Sequence, residues 1–295
     1  MMTTGRFCLK NRMPGKFKKN TRHDFYFFGV FMRNNKEWQH TAGSIGLVGL
    51  LLGLLAGVAP GARAELPGVG FSFSRVVLME EDKGGATVEV RNNSDNLYLV
   101  QSQIHAADAN KGRPVNESPG DVALPFMVLP PLKRLEPHAE LPLRILATPE
   151  ARKRLPRDRE SLFFISSKSI PSVPAPSDDE KKSGGRVVLA LVNSIKLYYR
   201  PAGLKKQAMD EVAASLTFSR TGKELRVHNA SAYYITFSSL SVGGAALNSN
   251  ELQAMVPPKG EQAYLLPAKA TDSVVRWQLI DEYGLPTDEQ SRDVP

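Results

Sequence analysis

The stretch from Arg186 to Pro201, Arg-Val-Val-Leu-Ala-Leu-Val-Asn-Ser-Ile-Lys-Leu-Tyr-Tyr-Arg-Pro, sets the tightest limit on what this chain can fold into. It is β-branched and aromatic at many positions and holds no Gly or Pro before its last residue, which predicts one long strand. In an extended chain Val187, Leu189 and Leu191 point to one side, and Val188, Ala190 and Val192 to the other. A strand that is apolar on both faces has to be covered on both. The preceding Ser172 to Gly185 is rich in Pro, Ser, Gly, Asp and Lys and reads as a loop. A two-faced apolar strand leaving such a loop is either deep core or a strand built to meet another protein.

The rest of the chain reads as short strands separated by turns. Phe71 to Met79 predicts a first strand, Ala86 to Arg91 alternates cleanly, and Asn92-Asn93-Ser94-Asp95 turns the chain. Leu97 to His105 follows, then a polar, loop-like stretch from Ala106 to Asp121. Short strands are expected at Phe126 to Leu129, Leu132 to Leu135, Leu141 to Leu146 and Ser161 to Ile170. Turn signals every 8–12 residues with almost no helical period are the signature of an immunoglobulin-like sandwich. Pro201-Ala202-Gly203 reads as a hinge. Beyond it Lys205 to Val212 has room for a helical turn, and short strands resume, including Glu251 to Val256 and Ser273 to Ile280. The expectation is all-β: two immunoglobulin-like β-sandwich domains, at residues 65–200 and 201–295, after a leader at 1–64.

The leader accounts for the basic charge. Ser44 to Pro60 is apolar and small, basic residues precede it, and Ala62-Arg63-Ala64 fits a cleavage site, which together predict a secretory signal and export. Met32 would make a conventional start, so residues 1–31 read as an extended leader or a start placed too early. Residues 1–64 hold ten of the 38 Lys+Arg and two of the 30 Asp+Glu, so the remainder carries 28 of each. A chain balanced in this way gives no argument for nucleic acid as partner. The only cysteine, Cys8, is in the leader as well. The remaining 231 residues hold no thiol and are enough to bury two cores without disulfides.

Catalytic and metal signatures are poor. His105, His138 and His228 are scattered without ligand spacing, and no nucleophile elbow or phosphate loop occurs. Neither an enzyme nor a cofactor is expected. Two cations stand out instead. Arg75 lies among Phe73, Val76, Val77 and Leu78, and Lys196 between Ile195 and Leu197. A cation inside an apolar strand costs desolvation unless it snorkels to solvent or meets an anion. A pair of them fits one carboxylate through charge-assisted hydrogen bonds. Glu160, Arg200 and Asp281 form a second charged set, with Arg200 at the hinge, where an ion triad would fix the angle between domains; spacing alone leaves three unrelated surface charges open. A secreted surface or carbohydrate-binding protein of the same architecture is the alternative, but it would need aromatic platforms, and beyond the leader only Trp277 is available as a tryptophan.

Five segments carry a resemblance: Asn92-Asn-Ser-Asp with Tyr98-Leu-Val-Gln-Ser, Pro125-Phe-Met-Val-Leu-Pro-Pro-Leu-Lys-Arg-Leu-Glu-Pro, Leu155-Pro-Arg-Asp-Arg-Glu-Ser-Leu-Phe-Phe, Ile195-Lys-Leu-Tyr-Tyr-Arg-Pro-Ala-Gly-Leu and Ala232-Tyr-Tyr-Ile-Thr. Over about residues 69–287 the chain resembles the periplasmic pilus chaperones of the chaperone–usher pathway. The resemblance implies two sandwiches in a boomerang, with pilus subunits and an outer-membrane usher as partners. It implies that Arg75 and Lys196 hold a subunit's C-terminal carboxylate. It implies that Val187, Leu189 and Leu191 complete the subunit's sandwich, and that Glu160, Arg200 and Asp281 form the interdomain ion network. An uncovered ladder of this kind also invites self-association. His138 departs from the pattern, standing where Gly is expected, and the short loop before the ladder resembles the branch that serves rod-like pili. Lys196 is of opposite parity to Leu191, so a bulge or strong twist is expected to bring the cation and the ladder to one face.

Overall fold

Alternating apolar and polar residues lay down most of the strands. β8 is the plain case: Leu141, Leu143 and Ile145 are buried while Glu140, Pro142 and Arg144 between them are exposed. The computed structural model describes residues 68–115, 124–172, 187–267 and 273–294, all of them within one compact unit. Residues 1–67, 116–123, 173–186, 268–272 and 295 lie outside the described residues, and with them the expected leader and the loop expected before the ladder.

The first ten strands are β1 (Val69–Phe71), β2 (Arg75–Met79), β3 (Ala86–Asn92), β4 (Tyr98–Asp108), β5 (Arg113–Pro114), β6 (Phe126–Leu129), β7 (Leu132–Leu135), β8 (Glu140–Ala147), β9 (Ser161–Pro171) and β10 (Leu191–Arg200). They form one sheet in the order β1-β3-β8-β6 and another in the order β2-β10-β9-β4-β5, with β7 also on β4. Between the sheets lies a core of Val88, Val90, Val100, Leu143, Ile145, Ile165 and Leu197. Seven further strands follow: β11 (Thr217–Thr221), β12 (Glu224–Asn229), β13 (Phe237–Val242), β14 (Ala245–Ala246), β15 (Gly260–Leu265), β16 (Val274–Leu279) and β17 (Gln290–Asp293). They make sheets β11-β12-β15 and β14-β13-β16-β17 around Trp277, Phe218, Leu225, Val227 and Leu240. The molecule is thus all-β, with two sandwiches. Two short helices, α1 (Pro149–Arg154) and α2 (Met209–Ser215), sit in connections.

Several elements differ from expectation. Phe71 to Met79 is two strands, because the chain crosses between the sheets at 72–74: β1 pairs antiparallel with β3 and β2 parallel with β10. Ala106 to Asp121 is not all loop, since β4 runs on to Asp108 and turns back as β5. Glu251 to Val256 holds a 3₁₀ turn at Glu251–Gln253, because the Asn248 carbonyl accepts the amides of Glu251 and Leu252. The long strand begins at Leu191 rather than Arg186. β9 reaches the end of its pairing with β10 at Ser169, and Pro171 beyond it has no amide to offer, so residues 187–190 join no strand among the described residues. His138 adopts a φ of 56°, which glycine takes without strain; its ring nitrogen instead reaches Asp95 at 2.8 Å.

Leu143→Ala, at a fully buried site in β8, is expected to cost the first sandwich about 2–5 kcal/mol. Urea unfolding followed by tyrosine signals checks it; a midpoint equal to wild type would contradict this account of the core.

Candidate functional site

β10 has two unlike edges. On one side β9 pairs with it from Leu191 to Tyr199. On the other, β2 covers only Lys196 to Arg200. The edge before Lys196 therefore has no β-strand partner among the described residues, although the Asn193 side chain donates to the Val69 carbonyl. Along this open edge and the chain before it, Val187 is 82% exposed, Leu189 74% and Leu191 58%. Val188 and Val192 are exposed as well. This is neither deep core nor an ordinary surface, because five large apolar residues within six positions face water beside an edge with no strand partner among the described residues.

At the point where the open edge ends stand the two cations. Parallel pairing sets Arg75 directly against Lys196, about 4.8 Å apart at the backbone. Both turn to the outer face of their sheet and meet the second sandwich. The Arg75 guanidinium donates to the Ile280 carbonyl at 2.9 Å, and the Lys196 ammonium donates to the Thr236 hydroxyl at 3.0 Å. Arg75 is 7% exposed, its Nε has no hydrogen-bond partner, and its guanidinium lies 5.9 Å from the Tyr198 ring centre. Neither cation has a carboxylate within ion-pair reach among the described residues. Burial, and then the charge of Arg75, pull the Lys196 ammonium down to about 7. The pair is two neighbouring donors, each held by a neutral acceptor of the second sandwich, with no carboxylate in ion-pair reach among the described residues.

No bulge joins the ladder to the cations. The β9–β10 register is one-to-one from Leu191 to Tyr199, so Lys196 lies with Ser194 and Val192 on the outer face. Leu191 keeps the parity of Ile195 and Leu197, which are buried in the core. The expected bulge is corrected: Leu191, the one ladder residue within β10, sits on the opposite face of a regular strand from the cations.

A charged cluster ties the sandwiches at the end of β10. Arg200 Nε meets Glu160 Oε1 at 2.7 Å and Arg200 Nη2 meets Glu282 Oε1 at 3.0 Å, with side-chain exposures of 2%, 1% and 8%. Arg200 also donates to the carbonyls of Lys205 and Lys206 and stacks over the Tyr233 ring at 4.7 Å. The other oxygen of Glu160 accepts the Tyr234 amide at 2.8 Å. Burial pushes the Glu160 carboxyl up, against the pull of Arg200 and that amide. Asp281 is not part of this cluster; the second acid is Glu282. The shorter Asp281 side chain instead accepts the amides of Tyr283 and Leu285, at 2.9 and 2.7 Å, and closes the turn before them. Thr236, Ile280, Tyr233 and Glu282 are the site residues that sequence reasoning missed. Only Glu282 left a signal, as the longer of two adjacent acids.

Other candidates for chemistry do not assemble. The three histidines stand apart, and no group of metal-ligating side chains forms among the described residues. An open depression of about 450 Å³ on the outer face is lined by Gln101, Gln103, Lys168 and Ser194, more polar than the usual small-molecule pocket. Trp277 is 1% exposed in the second core, so it offers no sugar platform.

Residues 68–205 match the family model described as pili and flagellar-assembly chaperone, PapD N-terminal domain, and residues 211–291 that of the pili assembly chaperone PapD, C-terminal domain. The chain is similar to the chaperone protein FimC of Escherichia coli K12, 35% identical over 239 residues, spanning 81% of this chain and 88% of that one. It is 31% identical to the chaperone protein FimB/FhaD of Bordetella pertussis, over 81% of this chain and 93% of that one. Among solved structures, the SafB chaperone of Salmonella enterica, in complex with the SafA pilin, matches with a TM-score of 0.63 and 28% identity, over 78% of this chain and 97% of that one. The chaperone DraB of E. coli matches with a TM-score of 0.62 and 30% identity, over 76% and 97%.

Two outcomes follow from the buried charges. The unfolded chain holds a proton on Lys196 up to its ordinary value near 10.5, and the folded chain only to about 7. Between these pH values the unfolded state binds more protons, so stability rises with pH. Lys196→Met should be more stable than wild type at pH 7, and the gap should shrink towards pH 10; urea midpoints at pH 7, 8 and 9 decide, and parallel profiles would refute it. Arg200→Met leaves Glu160 and Glu282 buried without a partner and should cost about 3–5 kcal/mol, seen in calorimetry as separate melting of the two sandwiches.

Proposed function

The chain belongs to the pilus-assembly chaperone family, and from that premise we propose that it works in the periplasm, reached through the signal in residues 1–64. There it holds pilus subunits until an outer-membrane usher takes them. Val187, Leu189 and Leu191 fill the gap in a subunit that lacks one strand, and the subunit's last strand pairs with the open edge of β10. Its terminal carboxylate enters between Arg75 and Lys196. The observation that carries this reading is the exposed apolar ladder on an unpaired edge that ends at two cations, Arg75 buried and Lys196 half-buried, with no carboxylate partner among the described residues.

The magnitudes divide the labour. Burying three such side chains contributes roughly 1.5–3 kcal/mol each before ordering costs. A single partly wet ion pair contributes about 1 kcal/mol or less. The ladder therefore supplies most of the affinity. The cations set where the guest strand stops, and hence which residue meets which pocket. A one-residue slip would turn every guest side chain to the wrong face.

Arg75→Ala and Lys196→Ala should each retain the fold yet lower the yield of a co-expressed subunit about tenfold or more; a normal yield with either variant counts against the clamp. Docking of a carboxylate restores the charge on Lys196, so above pH 7 binding takes up a proton. Affinity is complete below about 7 and declines as pH rises further. Lys196→Arg, charged at every pH tested, should lose this decline, which calorimetric titration would register.

A further inference from the structure

We infer that the β4–β5 hairpin is a second strap between the sandwiches, one that fixes how far Thr236 and Ile280 stand from Lys196 and Arg75. The consequence for binding rests on the carboxylate reading above. The hairpin is tight, pairing Ala107 with Pro114 and Asp108 with Arg113. Asp108 closes its tip by accepting the Lys111 amide at 3.2 Å and the Lys111 ammonium at 3.1 Å. That tip does not end in solvent. The Met255 amide of the second sandwich donates to the Ala109 carbonyl at 2.9 Å. Gly112, at a φ of 59°, lies so close to the 3₁₀ turn that a Cβ there would stand 1.9 Å from the Gln253 carbonyl oxygen. The contact is backbone against backbone, and only hydrogen fits between. Beneath it Met255, fully buried, packs with Leu162 and Tyr198 in a small core of its own, edged by Val77, Ala107, Ala109 and Tyr234.

Position across the sheet gives the strap its leverage. In the order β2-β10-β9-β4-β5, Arg75 holds Ile280 at one end and the hairpin holds Met255 at the other. Three strand spacings separate β2 from β4, about 14 Å. The Arg200 cluster at the end of β10 lies between these ties and, alone, would act as a pivot. Ties on both sides of a pivot stop rotation. Rotation about Arg200 would move Thr236 and Ile280 relative to the two cations and reshape the gap between them.

The test uses the full chain with Cys8→Ser, so that spin labels at Lys133→Cys and Arg220→Cys, both on exposed strand positions, are the only thiols. Gly112→Ala and Met255→Ala disturb the strap from opposite sides. Each should displace or broaden the interdomain distance distribution. Each should also weaken, about tenfold, a short alternating-valine peptide with a free C-terminal carboxylate while leaving its C-terminal amide unaffected. Distances equal to wild type in both variants overturn the strap. Where Gly112→Ala fails to fold, Met255→Ala decides alone. Should the unmodified protein bind acid and amide peptides equally, the carboxylate reading falls, and the distances by themselves still judge the strap.

Discussion

Two basic side chains stand side by side in a poorly hydrated seam, with no carboxylate in reach among the described residues: the rest of the architecture makes sense as the means of holding Arg75 and Lys196 there. Such an arrangement opposes folding, because each cation loses hydration and repels the other. It persists because the parallel pairing of β2 with β10 leaves their backbones no choice of neighbour. On the far side Ile280 and Thr236 supply neutral acceptors. Those acceptors belong to the second sandwich, so the arrangement exists only while the sandwiches stay docked. Arg200, satisfied on every side by Glu160, Glu282 and two carbonyls, is the counterweight. One buried arginine is fully compensated so that another, close by in the same sheet, can remain uncompensated.

The regular register of β10 also gives the molecule a single file of side chains. Tyr199, Leu197 and Ile195 are buried in the first core, Leu191 continues the same parity into water, and Leu189 and Val187 follow it, exposed, before the strand begins. In the proposed complex that file would pass from one protein's interior into another's, with the outer face left to the cations. A bulge would have put both on one side and forced the guest to choose between its core contacts and its carboxylate.

Much of this was legible in the residues. Clean alternation exposed β3, short apolar runs marked β8 and β16, and the two-faced apolar run with its two cations pointed to the site. What could not be read had local causes. The break in the first strand depends on which sheet each half joins, and Phe71 to Met79 carries no Gly or Pro to mark it. The start of β10 depends on where β9 stops offering amides, a property of a partner 20 residues away. Asp281 and Glu282 are adjacent acids, and one methylene decides which caps a turn and which reaches Arg200. The hairpin tip looked like loop because its order comes from Gln253 and Met255, far along the chain.

The placement of Trp277 gives this protein a convenient optical asymmetry. It is enclosed in the second core, its indole nitrogen donating to the Ala213 carbonyl at 3.0 Å, and the other tryptophan, Trp38, belongs to residues 1–64. Among the described residues, ultraviolet emission excited at the red edge therefore comes from the second sandwich alone. Its wavelength would report whether that core stays closed, with no contribution from the first sandwich.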